Sequence, residues 1–197
     1  MQAVFHGFAL RSRSTQGSGS DVIIFDMYPH YSFPPRTVAG LARDLSLSRR
    51  RSFRADALAC LRRLNPSLRV FGEKNIPHTG PCVVTFNHYY REGFNAIWMA
   101  VAVAATIPVE MHFVMTGELT YPGKWYAPLG RFLSKIVLHR AARVYGFTSM
   151  PPMPPRPKDV EARAESVRKA LEVARREKNL ILGLAPEGGM GGMDVKP

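Results

Sequence analysis

The alternation of short apolar runs with helix-like segments, from Val70 onward, most constrains the fold of this chain. Strand-like runs are found at Pro81 to Phe86, Glu110 to Met115, Val144 to Thr148 and Leu180 to Leu184. Helix-like segments separate them at Phe94 to Ala105, at Trp125 to Ala142 with an early break at Pro128-Leu129-Gly130, and at Asp159 to Lys178. This β-α-β-α-β-α-β order predicts an α/β fold, a largely parallel sheet with flanking helices and right-handed crossovers.

Two loops that directly follow predicted strands carry the candidate functional residues. They are "NHYYREG" after Phe86 and "APEGGMGG" after Leu184. Ligands of open α/β sheets bind at the carboxyl ends of the strands. If the two strands lie close together, we expect His88 and Glu187 to face one cleft.

His88 is the candidate general base. A neutral imidazole takes a proton from an alcohol near physiological pH, and it works best when a carboxylate fixes its tautomer. Glu92 follows four residues later, so that it would share a face with His88 if the loop enters a helix at once. The spacing therefore predicts a His88–Glu92 pair that can activate a hydroxyl as a nucleophile.

The second loop suits the binding of a phosphate. Glycines allow backbone N–H groups to approach an anion closely, and Gly188 and Gly189 directly follow Glu187, whose carboxylate can bind a hydroxyl. Glycine runs also form ordinary turns, and that alternative stays open for this loop taken alone.

The motifs around these loops resemble one known family. "RVFGEKNIPHTGPCVVTFNHYY" is similar to the opening of the glycerolipid (lysophospholipid) acyltransferases, and "LILGLAPEGG" is similar to their later strand followed by P-E-G. The resemblance runs from Arg69 to about Gly189 and includes Asn87, the asparagine of the N-H motif.

The resemblance implies a glycerolipid acyltransferase-like α/β fold and an O-acyltransferase of phospholipid biosynthesis. Such an enzyme moves a fatty acyl group from acyl-CoA or acyl carrier protein, as co-substrate and with no bound cofactor, to the hydroxyl of a lysophospholipid. The family's base falls on His88. The family's glycerol-phosphate contacts fall on Glu187 and Gly188, next to Gly189.

The chain departs from the family pattern at the residues that orient the base and bind phosphate. Gly93 stands where the family has the orienting aspartate, which leaves Glu92 as a displaced substitute. The family's phosphate-binding arginine is missing after the third strand, where "GFTSMPP" places prolines. Arg143 and Arg156 are candidate replacements, and Arg91 is either a further phosphate contact or a solvated loop residue.

We divide the chain into a basic N-terminal extension, residues 1–68, and an incomplete acyltransferase-like α/β domain, residues 69–197. The family continues with further strands and helices, so we expect the chain to be truncated at its C-terminus. The extension contains two amphipathic segments, with Val38, Leu41 and Leu45 and then Leu58, Leu61 and Leu64 at helical spacing. The cluster "SRRRSFR" between them is either a solvated face or a contact for phosphate or lipid.

The net charge of the chain indicates what kind of partner it binds. The formal net charge is +12 and the isoelectric point is about 10.2, which favours an anionic partner. The longest apolar stretch, Ala96 to Val109, is shorter than a membrane span requires, so we expect peripheral binding to an anionic surface on the cytoplasmic side of a membrane. Cys60 and Cys82 are expected to be free thiols in a reducing compartment, and no histidine spacing predicts a metal site.

Two other functions remain open from the sequence. The lost aspartate is compatible with a catalytically inactive lipid- or acyl-binding relative of the same fold. A nucleic-acid-binding protein would explain the charge, but only Phe53 interrupts the basic cluster and no known binding motif is present, so we expect no nucleic acid.

Overall fold

A computed structural model describes residues 32–62, 64, 67–87, 96–153 and 156–186 of the chain. In chain order the helices and strands are α1 (Pro35–Leu47), α2 (Phe53–Leu61), β1 (Cys82–Thr85), α3 (Ala96–Thr106), β2 (His112–Thr116), α4 (Ala127–Tyr145), β3 (Thr148–Met150), α5 (Val160–Arg176) and β4 (Ile181–Leu184). Short 3₁₀ turns lie at Glu73–Asn75 and Pro157–Asp159.

The four strands form one parallel sheet in the order β1-β4-β2-β3. The predicted α/β fold with a parallel sheet and flanking helices is therefore confirmed. The last described strand, β4, lies between β1 and β2, and this inner position explains its uninterrupted apolar sequence. Gly183 pairs with Phe113 of β2, and a Cβ atom at Gly183 would lie 2.6 Å from the Phe113 ring. Glycine at this position therefore lets the large Phe113 ring pack across the sheet.

Two predicted elements were wrong in their boundaries. The helix predicted to break at Pro128-Leu129-Gly130 is continuous, because Pro128 lies in its first turn, where backbone N–H groups have no partner within the helix. The predicted strand from Val144 to Thr148 begins only at Thr148. Val144 belongs to α4, which ends at Gly146 with φ 75°, a left-handed conformation that glycine adopts at low cost.

The N-terminal helices pack on the α/β part. Helix α2 contacts α3 and buries Ala57 and Cys60, which join the main core. Phe53, at the start of α2, makes edge-to-face contacts with Phe113 and Phe147, with ring centroids 5.5 and 5.2 Å apart. Helix α2 is therefore part of the main core, and the division of the chain at residue 68 stays a prediction.

The basic cluster between α1 and α2 makes contacts within the protein. The Arg50 guanidinium donates to the Arg143 carbonyl (3.0 Å), and the Arg54 guanidinium donates to the Ile107 carbonyl (2.8 Å). Arg51 holds Asp56 with two hydrogen bonds of 2.5 and 2.6 Å and Asp44 with one of 2.8 Å. Three arginines of the cluster therefore have structural partners.

The two aspartates are almost completely buried, and Tyr145 completes the network. The Tyr145 hydroxyl donates to Asp56 at 2.8 Å, and burial followed by this bond to the carboxylate raises the tyrosine pKa. The bonds from Arg51 and then Arg43 lower the pKa of Asp44. Helix α1 therefore buries a paired Asp44, whereas Val38, predicted to lie on its apolar face, is exposed.

We expect Arg51→Met to lower the free energy of unfolding by about 3–5 kcal/mol, because it leaves the buried Asp56 carboxylate without its cation. Urea unfolding at pH 7 measures the change. Arg43→Met is the matched control, since Arg43 also contacts Asp44 but its side chain is 63% exposed. A loss as large for Arg43→Met as for Arg51→Met would contradict the structural role assigned to Arg51.

Candidate active site

The two loops predicted to carry the chemistry start from neighbouring points at one edge of the sheet. Strands β1 and β4 are adjacent and parallel, and Thr85 pairs with Leu184 in the register. The Phe86 N–H donates to the Leu184 carbonyl at 3.0 Å, which extends the pairing beyond the last strand residue. The condition for His88 and Glu187 to face one cleft, that these two strands lie close together, is therefore met.

Asn87 is the last described residue of the first loop, and it is exposed at the carboxyl edge of β1. Pro186 is the last described residue after β4. His88 and Glu187 are the next residues along the chain in each case. They lie outside the described residues, together with the other predicted loop residues, Arg91, Glu92, Gly93, Gly188 and Gly189. The His88–Glu92 pair and the glycine loop therefore stay predictions.

Arg143 lies near the amino ends of the strands, whereas Asn87 lies at their carboxyl ends. Helix α4 runs back from the carboxyl end of β2 to the amino end of β3, and Arg143 is in its last turn. From Ala127 to Arg143 the helix rises by roughly 24 Å. This placement does not favour Arg143 as a partner for a phosphate bound near Asn87.

A cluster of charged residues does lie at the carboxyl edge, after β2 and β3. Arg131 Nε donates to Glu118 Oε1 at 2.8 Å, and Arg156 Nη1 lies 3.3 Å from the same oxygen. Arg156 also pairs with Asp159. Burial alone would raise the pKa of Glu118, but the bonds from Arg131 and Arg156 outweigh it, so the pKa is lowered. Both guanidinium groups are thereby held near the edge where ligands of such sheets bind.

Sequence reasoning identified Arg156 in this cluster but missed Glu118 and Arg131. Glu118 follows a strand almost directly, as Asn87 does, so the rule that selected the other two loops would have selected it. Arg131 had no such signal, because a helical arginine reaches the edge only through the orientation of α4.

Of the described histidines, His78 and His139 are exposed and His112 is buried. His112 is buried at the amino end of β2, with Nε2 2.8 Å from the Thr148 hydroxyl, and burial lowers its pKa. In the described part of the chain, no group of three or more His, Cys, Asp and Glu side chains is arranged to hold a metal ion. Cys60 and Cys82 are free thiols, and burial, with the charge of Asp56, raises the pKa of Cys60 to about 11.

A cleft of about 610 Å³ lies far from this edge. It is bordered by the C-terminal ends of α2 and α3 and by the segment before β1, including Leu61, Ile76, His78 and Pro108. Because α3 leads into the amino end of β2, the cleft lies on the amino side of the sheet. It is therefore separate from the two loops that carry the predicted chemistry.

The fold is that of an α/β protein with a parallel sheet, in which Asn87 and Pro186 follow the carboxyl ends of the neighbouring strands β1 and β4. The family model described as Acyltransferase matches residues 67–192, more than half of the 197 residues. The chain therefore belongs to the glycerolipid acyltransferase family, which supports acyl transfer as its general reaction. No curated protein and no solved structure matches it significantly. None of the described helices combines the length and apolar character needed to cross a bilayer.

We expect Glu118 to stabilise the fold above pH about 4.5 and to lose this contribution as the pH falls below that value. Its folded-state pKa lies below the ordinary value of 4.5, so its contribution is complete above that pH and is lost as the pH falls through the folded-state pKa. The free energies of unfolding of the wild type and Glu118→Gln should therefore differ at pH 7 and converge as the pH approaches about 3.

Urea unfolding at several pH values measures this convergence. Glu165→Gln is the control, because Glu165 also pairs with a cation, Lys169, but its side chain is 53% exposed. We expect this variant to follow the wild-type curve, since exposed ion pairs contribute little. Parallel curves for wild type and Glu118→Gln would contradict the role assigned to Glu118.

Proposed function

We propose that the protein transfers a fatty acyl group from acyl-CoA or acyl carrier protein to the free hydroxyl of a lysophospholipid, with His88 as the general base. The observation that carries the proposal is the pairing of β1 with β4. It starts the "NH" and "PEG" loops side by side at the edge where α/β sheets bind ligands. Membership of the acyltransferase family supports the reaction class.

In the proposed reaction the substrate hydroxyl oxygen attacks the carbonyl carbon of the thioester. His88 accepts the hydroxyl proton as the new C–O bond forms. The C–S bond then breaks, and the leaving thiolate takes a proton from the imidazolium, which returns His88 to its neutral form. Glu92 would orient the ring and stabilise the imidazolium, in place of the aspartate that Gly93 replaces.

We assign substrate binding to the two loops and to nearby arginines. Asn87, Arg91, Glu187, Gly188 and Gly189 belong to the proposed site by sequence. Arg143 is also a candidate from the sequence, but it lies in the last turn of α4, so we assign the phosphate group to Arg156 and Arg131. These two guanidinium groups share one carboxylate, Glu118, and an incoming phosphate would offer them further acceptors.

We further propose that the protein binds peripherally to an anionic membrane on its cytoplasmic side, where a lysophospholipid substrate would be found. Each lysine or arginine near an anionic surface contributes about 1 kcal/mol of attraction. The net charge of +12 supports this partner. We propose no bound cofactor and no nucleic-acid partner.

The central test is an assay of acyl transfer from acyl-CoA to lysophosphatidic acid. The release of the free CoA thiol measures the rate of transfer. His88→Ala should lower turnover by about 10²- to 10⁴-fold, the usual range for a general base. Glu92→Gln should cause a smaller loss of turnover with little change in lipid binding, because the amide keeps the shape but loses the charge. Gly93→Asp, which restores the family spacing, should raise turnover if the loop accepts the side chain.

His78→Ala is the matched control, because His78 is exposed and lies at the cleft on the amino side of the sheet. It should retain wild-type turnover. Unchanged activity in His88→Ala would end the proposed mechanism. A wild-type protein that binds lysophosphatidic acid without transferring acyl groups would instead identify the inactive lipid-binding relative that the loss of the family's aspartate allows.

Binding to vesicles should depend on salt and on lipid charge. We expect co-sedimentation with vesicles that contain phosphatidylglycerol to weaken as salt rises, because exposed charges are screened within about 8 Å at physiological ionic strength. Vesicles of phosphatidylcholine alone are the control and should bind much less protein. Binding that is insensitive to both salt and lipid charge would rule out an electrostatic contribution.

A further inference from the structure

Helix α4 exposes an apolar stripe along its outer face. Its side chains, each between 39% and 62% exposed, are Leu129, Phe132, Leu133, Ile136 and Val137. Their spacing of i, i+3, i+4, i+7 and i+8 places them on one side of the helix. Ser134 and Ala142 are buried on the inner side. This α4 stripe is therefore turned outward, the reverse of an ordinary surface helix.

The charge around the α4 stripe is of one sign. No aspartate or glutamate occurs between Glu118 and Asp159. Lys135 lies beside the stripe and Arg140 lies at its C-terminal end. Among the described residues neither forms an ion pair. An apolar stripe bordered only by cations is complementary to a bilayer surface with anionic head groups.

Aromatic residues lie where α4 begins. Trp125 is 91% exposed, and its ring meets that of Tyr126 with centroids 5.7 Å apart. Tryptophan and tyrosine are enriched at membrane–water interfaces, because each joins an apolar ring to a polar group. Since α4 follows the carboxyl end of β2, these aromatics lie on the same side of the sheet as Asn87.

Helix α5 shows that exposed apolar residues alone do not make such a face. Val167 and Leu171 are 44% and 51% exposed, at i and i+4 like Phe132 and Ile136. They lie on a helix that also carries the ion pairs Glu165–Lys169 and Glu172–Arg176. That helix presents both signs of charge to solvent, whereas α4 presents only cations.

We propose that the α4 stripe, together with Trp125, is the surface that inserts into the interfacial layer of an anionic bilayer. This proposal rests on the proposed function for the partner, an anionic membrane, and adds the surface of the protein that contacts it. Helix α4 would lie in the plane of the interface, with Lys135 and Arg140 at the level of the lipid phosphates. Its first turn would bring the carboxyl edge of the sheet next to the lipid from which a lysophospholipid would enter.

Charge argues against a second copy of the chain as the occupant. A second α4 stripe would bring the same cations, Lys135 and Arg140, and no carboxylate to the interface, and like charges on both sides oppose such contact. An anionic lipid surface has no such penalty.

Tryptophan fluorescence gives a direct test. The chain contains two tryptophans, Trp98 and Trp125, so a Trp98→Phe variant leaves Trp125 as the single reporter. Free protein should emit like exposed tryptophan. Vesicles of phosphatidylglycerol and phosphatidylcholine should shift the emission to the blue, and brominated acyl chains should quench it. A blue-shifted maximum without vesicles would mean that protein already covers Trp125, and it would overturn the proposal, as would an absent shift with vesicles.

Paired substitutions distinguish membrane binding through the α4 stripe from non-specific binding through any exposed apolar residues. Phe132→Ser with Ile136→Ser should weaken vesicle binding by about ten- to a hundredfold, because two large side chains no longer leave water. Val167→Ser with Leu171→Ser on α5 should bind like the wild type. Equal binding by the α4 pair and the wild type, or equal losses from both pairs, would overturn the proposal.

A second pair tests the position of the charge. Lys135→Gln with Arg140→Gln should weaken binding more than Arg168→Gln with Arg175→Gln, although each pair removes two positive charges. Equal losses would mean that only net charge matters and would contradict a defined docking face. Sedimentation velocity adds a further criterion, since a wild-type dimer that the Phe132→Ser and Ile136→Ser pair dissociates would assign the stripe to self-association.

These measurements do not depend on acyl transfer. A negative result for the docking face can therefore be distinguished from a negative result for the proposed reaction. His88→Ala should bind vesicles like the wild type even though it loses turnover. Loss of turnover in His88→Ala with no insertion of Trp125 would support the reaction and refute the docking face. Insertion of Trp125 in a protein without transferase activity would support the face and refute the reaction.

Discussion

The paired charges of Arg51, Asp44 and Asp56 hold the N-terminal helices to the rest of the protein. Arg51 binds an aspartate of α1 and an aspartate of α2, and its backbone N–H donates to the Val144 carbonyl at the end of α4. Buried charges are stable only when their hydrogen bonds are satisfied, and the planar guanidinium satisfies two carboxylates at once. Since α2 supplies Phe53, Ala57 and Cys60 to the core, the same contacts also support the sheet.

The sheet order then determines where a site can form. Placing β4 between β1 and β2 brings together the starting points of two loops that are about a hundred residues apart in the chain. Gly183 allows β4 to pair with β2, because the Phe113 ring occupies the space that a side chain at position 183 would need. The carboxyl edge thus gathers Asn87, the start of the "PEG" loop and the Glu118 cluster, whereas the cleft beside His78 lies on the other side of the sheet.

The arginines divide into two groups with different physical roles. Those of the basic cluster, Arg50, Arg51 and Arg54, make hydrogen bonds inside the protein. On α4, Arg140 and Lys135 form no ion pair among the described residues and lie beside an apolar stripe that faces outward, whereas Arg131 pairs with Glu118. Net charge alone does not separate these groups, because it counts a guanidinium that is paired with buried aspartate in the same way as one that faces solvent.

The sequence by itself determined the α/β class, most strand and helix positions, the two loops and the family, because these depend on local periodicity and contiguous motifs. Only the tertiary structure decided which strands are neighbours, that Arg51 pairs with Asp44 and Asp56, that Arg143 lies away from Asn87, and that the α4 stripe faces outward. Periodicity shows that side chains share a face of a helix, but it does not show what that face meets. Contacts such as Arg50 to Arg143, 93 residues apart, arise when whole elements pack, and no local pattern encodes them.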